Sequence, residues 1–145
     1  MRSDKECDLN SEDAGLAEVI SSSQVFVRPG RYAYLKVPSV PDLGDHFLVS
    51  RDQDEITVVT EESNLAKISF EEYTKWFTLI EIQVSQPFVT KGFIASISGA
   101  IAERDLNILV VSTFSKDYLL VREESKQSAV AALRDLGFSV YLEKS

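Results

Sequence analysis

The sequence of 145 residues has one cysteine, Cys7, and one histidine, His46. A single cysteine cannot form an intrachain disulfide, and it excludes a structural zinc site built from several thiolates. It also makes the cytoplasm the expected location, because disulfides are typical of secreted proteins. Cys7 lies in the polar stretch Ser3 to Asp13, where we expect an incidental, exposed thiol.

Positive charge and long apolar runs are also scarce. Fifteen Lys and Arg stand against 23 Asp and Glu, which gives a net charge of -8. Nucleic-acid binders gain much of their affinity from basic side chains that displace phosphate counterions, and this sequence has no basic stripe. The apolar runs are short, and Met1 to Gly15 contains no apolar stretch of the signal-peptide type. We therefore expect neither a nucleic-acid partner nor a membrane partner.

Motifs for catalysis and cofactor binding are missing from the sequence. It contains no P-loop, no G-x-G-x-x-G, no H-E-x-x-H and no G-x-S-x-G. His46 is the only candidate base, and a lone histidine at the start of an apolar run fits a structural or surface role better than a catalytic one. We predict a protein that is not an enzyme, with no catalytic residue, metal or cofactor. A small enzyme that uses His46 with nearby acidic residues is the weaker alternative.

What is present is the composition of an ordinary globular protein, with 44% hydrophobic and 26% charged residues. In the front half, Leu16, Val19 and Ile20 recur at helical spacing, and Ser21 to Ser23 end this predicted helix. β-Branched and aromatic residues bounded by turn residues predict three strands that follow. These strands are Tyr32–Val37, Phe47–Arg51 and Glu55–Thr60, and a polar turn joins the last two as a hairpin.

The back half predicts the order strand, helix, strand, strand, helix, strand. Gly92 opens the first helix, and Ser125 and Gly137 bound the second. Gly99 falls within the first helix, where glycine costs about 1 kcal/mol relative to alanine, so we expect close packing there. This order is the split βαβ pattern of a ferredoxin-like α+β fold, with two helices on one face of a four-stranded antiparallel sheet. The predicted strands are Trp76–Val84, Asn107–Thr113, Tyr118–Arg122 and Phe138–Leu142.

The two halves contain similar hairpins. A shift of 62 residues places Phe47–Ser63 over Leu109–Ser125 with six identical positions, among them the Glu-Glu-Ser ending. A repeated unit usually packs against its copy, because neither buries its apolar face well alone. We therefore interpret the chain as two related units, although strand-turn-strand sequences can also resemble one another by chance.

A family resemblance rests on three segments of the back half and two of the front half, namely Thr90–Ile97, Leu106–Ile108 and Ser112–Val121, and Gly30–Tyr32 and Asp54–Val59. These segments resemble the ACT domain, and in particular the tandem-ACT subgroup that includes the cytosolic arginine sensor. The resemblance implies two ferredoxin-like ACT units with antiparallel sheets, the first of them degenerate. It predicts a flexible tail at 1–15, a first unit at 16–75 and a second βαββαβ unit at 76–145.

The resemblance also implies a ligand site at the start of the first helix of the second unit. A helix N-terminus presents free N–H groups and suits an α-carboxylate, while an acidic side chain suits an α-ammonium. Alternatively, Gly92 and Thr90 only shape the helix entry and Asp117 serves the hairpin turn. The residues that match the family's site are Gly92, Phe93, Ile94, Ser112, Thr113 and Asp117.

These features together predict a regulatory module that senses an amino acid or a similar small effector. The ligand would lie between the two ACT units, and a partner protein would respond to it. The resemblance admits one site per chain or one shared across a homodimer. The main alternative is a ligand-free interaction protein whose ACT-like units only dimerise.

Overall fold

The computed structural model describes residues 15–42, 44–86 and 90–144, which form three helices and eight strands. Among these residues, no helix has the length and apolar character needed to span a bilayer. The predicted tail lies outside the described residues, apart from Gly15. In chain order the elements are α1 (Leu16–Ser22), β1 (Gln24–Val27), β2 (Tyr32–Val37), β3 (Leu48–Arg51), β4 (Ile56–Glu61), a 3-10 helix (Glu62–Lys67), β5 (Glu72–Gln83), α2 (Phe93–Ala102), β6 (Leu109–Ser112), β7 (Lys116–Arg122), a short 3-10 turn (Glu123–Ser125), α3 (Lys126–Leu136) and β8 (Ser139–Leu142).

All eight strands belong to one sheet, and β5 is its central strand. The N-terminal part of β5 pairs with β2, which in turn leads to β4 and β3. Its C-terminal part pairs with β7 on one side and with β1 on the other. β6 pairs with β7, and β8 pairs with β1. The α+β class is therefore confirmed, with one continuous sheet, while the division into two units stays a prediction.

The prediction of purely antiparallel pairing is wrong at β8. In a four-stranded ferredoxin-like sheet β8 would pair with β5 directly, but β1 lies between them. β1 and β8 both run antiparallel to β5, so they point in the same direction and pair in parallel. β1 was not predicted from the sequence, because a strand of four residues between a helix end and a Pro-Gly turn gives too short a periodic pattern.

The helices cover one face of the sheet around β5, as predicted, and the main core lies beneath them. α1 contributes to this core from the front of the chain, so the back-half helices do not close it alone. The buried residues on this side include Val19 and Ile20 of α1, Val25 and Val27 of β1, Ile80 and Ile82 of β5, Ile97 and Ile101 of α2, and Ala129 and Leu133 of α3.

The opposite face of the sheet around β5 packs against the front half of the chain. Phe47 makes an edge-to-face contact with Tyr118 of β7, with ring centroids 4.7 Å apart. Leu79 and Leu120 are buried in the same cluster as Val59 of β4. The part of the sheet formed by the front strands thus curves over the face of β5 and β7 that the helices leave uncovered. A third cluster, around Leu35, lies under the 3-10 helix on the outer side of the front strands.

The predicted order of elements in the back half is confirmed from β5 through β8. β5 begins earlier than predicted, at Glu72 rather than Trp76, because its polar N-terminal residues pair with β2 outside the main core. The boundary predicted between residues 75 and 76 therefore falls inside a continuous strand. Ser125 precedes α3 as predicted, but its side chain makes no capping hydrogen bond.

The two hairpins are related by a shift of 61 residues rather than 62. Leu48 pairs with Val59, and Leu109 pairs with Leu120 in the equivalent place. All four side chains lie on the same side of the sheet, in or against one apolar cluster. The shift of 62 instead places Val59 over Val121, which belongs to the core beneath the helices. A shift of one residue moves every side chain of a strand to the opposite face of the sheet, so the alignment with a shift of 62 pairs side chains that lie on different faces.

Two glycines give a paired stability prediction. Gly137 ends α3 with φ at 116°, a conformation that favours glycine, so Gly137→Ala should lower the free energy of unfolding by about 1 kcal/mol. No described heavy atom outside its own helix neighbourhood lies within 4 Å of a β-carbon at Gly99, so the predicted close packing is wrong. Gly99→Ala should raise the free energy of unfolding by about 0.5–1 kcal/mol. Urea unfolding midpoints measure both changes, and a destabilised Gly99→Ala variant would contradict the second.

Candidate functional site

A cleft of about 330 Å³ opens where β5 ends, α2 begins and the β6–β7 hairpin turns. These three chain segments meet at one edge of the sheet because β5 and β7 are neighbours and α2 crosses above them. The described lining residues all belong to the back half. They are Val84, Gln86, Thr90, Gly92, Phe93, Ile94, Ala95, Ser112, Thr113, Phe114, Lys116 and Asp117.

The first wall of the cleft is the start of α2. Gly92 is the N-cap, with φ at 79°, and no side chain caps the helix. The first intrahelical hydrogen bond runs from the Ser96 amide to the Gly92 carbonyl, at 2.9 Å. The amides of residues 93–95 therefore have no acceptor within the helix, and these residues line the cleft. Such a terminus attracts negative charge.

Gly92 also brings the front of the chain close to this wall. A β-carbon at this position would lie 3.7 Å from Cδ2 of Leu16, in the first turn of α1. A larger side chain would therefore press on α1, and any L-residue would be strained at this positive φ. Glycine thus keeps the helix end both accessible and close to the front half.

The second wall is the turn of the β6–β7 hairpin. The hydroxyl of Ser112 donates a hydrogen bond of 2.6 Å to Oδ1 of Asp117, its partner across the hairpin. The amide of Thr113 donates to the carbonyl of Lys116 at 2.9 Å and closes the turn. Within the part of the chain that the structure describes, the other oxygen of the Asp117 carboxylate accepts no hydrogen bond, and Ser112 fixes the orientation of the group.

The rest of the cleft is mostly apolar. Val84 and Ile94 are half-buried, and Ala95 is exposed. Phe114 at the hairpin tip is 75% exposed. Phe93 differs from these, because its ring packs edge-to-face on Phe138 in the core and leaves mainly its backbone for the cleft.

Lys116 connects the cleft to a buried acid on the other face of the sheet. It lines the cleft, and its Nζ lies 4.0 Å from Oε1 of Glu81. Glu81 is only 1% exposed and also receives hydrogen bonds from Arg28 at 2.6 Å and from Tyr118 at 3.0 Å. Gln83 donates to its second oxygen at 3.0 Å. The carboxylate is therefore fully paired despite its burial.

This pairing determines the protonation of the group. Burial alone would raise the pKa of Glu81, but the hydrogen bonds from Gln83, Arg28 and Tyr118 and the charge of Arg28 outweigh it, so the pKa lies below its ordinary value. Burial and the hydrogen bond to Glu81 raise the pKa of Tyr118 to about 12. At neutral pH the network therefore holds an ionised Glu81 and a neutral Tyr118.

His46 lies in a separate groove that also contains Glu81. Its Nδ1 is 2.9 Å from the hydroxyl of Thr60, which also accepts a hydrogen bond from Asn64 at 2.8 Å. Among the described lining residues of this groove none is a serine or cysteine that could act as a nucleophile. His46 thus takes part in a hydrogen-bond network with Thr60 and Asn64, and the structural role expected for it stays a prediction.

All six site residues predicted from the sequence lie at the cleft: Gly92, Phe93, Ile94, Ser112, Thr113 and Asp117. Their role in binding a ligand stays a prediction. Sequence reasoning did not include Val84, Ala95 and Phe114, which line the same cleft. The signal for Phe114 was available, because an aromatic residue in a polar hairpin turn has no obvious core to join.

Residues 74–135 match the model of the ACT domain family. This match covers less than half of the chain. Comparison with curated proteins gives no match. Three solved structures of similar fold are covered by this chain to 95–97% of their own length.

One similar structure is a protein of unknown function from Vibrio cholerae, described as a possible transport protein, with a TM-score of 0.71, 22% identity, and coverage of 84% of this chain and 95% of that one. A protein from Agrobacterium tumefaciens has a TM-score of 0.69 and 22% identity, and the match covers 85% of this chain and 95% of that one. The ligand-free regulatory subunit of aspartate kinase from Thermus thermophilus has a TM-score of 0.56 and 12% identity, and the match covers 81% of this chain and 97% of that one. At these identities the likeness shows a common fold.

Proposed function

We propose that this chain is a regulatory ACT-domain protein that binds a free amino acid in the cleft between α2 and the β6–β7 hairpin. The observation that carries the proposal is the placement of two opposite electrostatic features in one cleft. The free amides at the start of α2 suit a carboxylate, and the Asp117 carboxylate suits an ammonium group. A zwitterion with both groups on one carbon matches this pair.

The size of the cleft supports a ligand of this kind. Its volume of about 330 Å³ corresponds to about eleven waters at the roughly 30 Å³ that each occupies in the liquid. This lies at the small end of the range for small-molecule sites. A single amino acid fits such a space, whereas a dinucleotide does not.

Leu16 supports a regulatory role. It belongs to the front unit proposed at 16–75, yet it approaches Gly92 in the wall of the cleft. A ligand that contacts the start of α2 therefore lies next to the junction with the second unit, 76–145. We infer that ligand binding favours one packing of α1 against α2, and that a partner protein recognises this state. The tandem arrangement of the arginine-sensor subgroup is part of this proposal.

A thermal-shift screen of the purified protein against the twenty amino acids tests the proposal. At 100 times its dissociation constant a ligand adds about 2.7 kcal/mol to the free energy of unfolding. For a chain of this size that raises Tm by about 5–10 °C. We expect such a rise with a small subset of the amino acids, and the same rise in a His46→Ala variant, because His46 lies outside the cleft.

The result that would overturn the proposal is a Tm that no amino acid changes. That outcome would favour a ligand-free interaction protein. A response lost in His46→Ala alone would instead direct attention to the groove around Glu81 and to the enzyme alternative.

A further inference from the structure

The charges of the cleft indicate which amino acids it accepts, provided that the proposed function holds. Among its described lining residues, Asp117 is the one acid and Lys116 the one base. Asp117 is committed to the ammonium group of the ligand. Lys116 already faces the buried Glu81 carboxylate at 4.0 Å, which offsets its charge. The ammonium and carboxylate groups of a bound amino acid therefore occupy Asp117 and the start of α2, and no further charged group remains for its side chain in the part of the cleft that the structure describes.

Among the described lining residues, a third charge, on the side chain of the ligand, would find no opposite charge that is not already shared. A lysine or arginine side chain would have to share Asp117 with its own ammonium group. An aspartate or glutamate side chain would compete with Glu81 for Lys116. Bringing an unpaired charge into a partly enclosed space is unfavourable, so the cleft disfavours both classes.

The remaining surface suits an apolar side chain. Val84, Ile94, Ala95 and Phe114 supply carbon atoms, and the polar side chains beside them are the hydroxyls of Thr90 and Thr113 and the amide of Gln86. Thr90 and Thr113 already donate to backbone carbonyls, at 3.1 Å and 3.3 Å. Binding an apolar group here removes carbon surface from water on both sides of the contact.

Phe114 is the residue best placed to respond to the size of that group. It is the most exposed large hydrophobic residue among those described, at 75%, and it lies at the tip of the hairpin that bears Asp117. Aromatic side chains offer a large contact area with few rotatable bonds. We propose that the cleft selects amino acids with uncharged, apolar side chains, and that Phe114 covers the bound side chain and determines this preference.

Titration calorimetry with leucine, alanine, lysine and glutamate tests this inference on the full chain. We expect leucine to bind at least tenfold more tightly than lysine or glutamate, and more tightly than alanine. In Phe114→Ala, leucine should bind about tenfold more weakly while alanine is nearly unaffected, and Phe114→Tyr should restore the preference. Tyr73→Ala is the matched control, because Tyr73 is an aromatic residue exposed by 57% outside the cleft.

The outcomes separate this inference from the proposed function. If none of these amino acids binds, and the screen of all twenty is also negative, the proposed function fails and the inference fails with it. If lysine or glutamate binds as tightly as leucine, the cleft binds amino acids but does not select apolar ones, and the inference is wrong. If the ratio of leucine to alanine affinity is the same in Phe114→Ala as in the unchanged protein, Phe114 does not determine the preference.

Discussion

Replacing Asp117 with asparagine should weaken the binding of an amino acid by about ten- to a hundredfold. A hydrogen bond to a charged group contributes about 1.5–3 kcal/mol, and 1.4 kcal/mol corresponds to a factor of ten in affinity. Asparagine keeps the size of the side chain and an oxygen that accepts the 2.6 Å bond from Ser112, so the hairpin keeps its shape. Only the negative charge facing the ammonium group of the ligand is removed.

The measurement is calorimetry with whichever amino acid gives the largest thermal shift. Asp52→Asn is a suitable control, because Asp52 occupies the turn of the related β3–β4 hairpin, where its Oδ1 accepts amide hydrogen bonds from Asp54 and Glu55. Asp52 lies outside the cleft, so the Asp52→Asn variant should bind the ligand with the same affinity as the unchanged protein. Equal affinity in Asp117→Asn would mean that this carboxylate is not the ammonium partner.

The largest change in stability is expected from Arg28→Met. Removing one partner of a buried ion pair typically costs 3–5 kcal/mol, because the other charge stays buried without compensation. Arg28 is 36% exposed, and solvent screening reduces its contribution, so we expect the free energy of unfolding to fall by about 2–3 kcal/mol. Tyr118→Phe removes only one hydrogen bond to Glu81 and should cost about 1 kcal/mol. Urea unfolding at neutral pH gives both values.

The pH dependence identifies the cause of this loss. The pKa of Glu81 in the folded chain lies below its ordinary value of 4.5, so the stabilisation is present above pH 4.5 and is lost as the pH falls through the lowered pKa. The difference between the unchanged protein and Arg28→Met should therefore shrink in acid. Adding Glu81→Gln to Arg28→Met removes the buried charge that has lost its closest partner and should recover about half of the loss at neutral pH. A double variant that is less stable than Arg28→Met would contradict this account.

The back half of the fold could be predicted because its signals are local. Gly92 and Gly137 mark a helix start and a helix end, and Gly137 adopts the positive φ that is typical of the residue after a helix. The strands between them carry β-branched and aromatic residues. β1 could not be predicted in its place, because nothing within Gln24–Val27 specifies that its neighbours are β5 and β8, far along the chain.

The position of the cleft could be predicted from the sequence, although some of its lining residues could not. The six site residues predicted for it belong to two segments that the family resemblance brings together, the start of α2 and the β6–β7 hairpin. The network around Glu81 could not be predicted, although a glutamate between Ile80 and Ile82 in an apolar strand is unusual. Its partner Arg28 follows β1, so this ion pair depends on the strand that sequence reasoning missed.

β5 has a mechanical consequence for any signal that leaves the cleft. Twelve residues at about 3.3 Å each give it a length of up to about 40 Å, with one register shift in its pairing with β2, between Tyr32 and Ala33. One end leads to Val84 at the cleft, and the other, Glu72–Thr74, reaches the surface beside Tyr34 of β2. The two halves cannot swing apart without breaking the ladders that join β5 to β1 and β2. We therefore expect a change at the cleft to reach the far end of β5 as a change of strand twist rather than as the opening of a hinge.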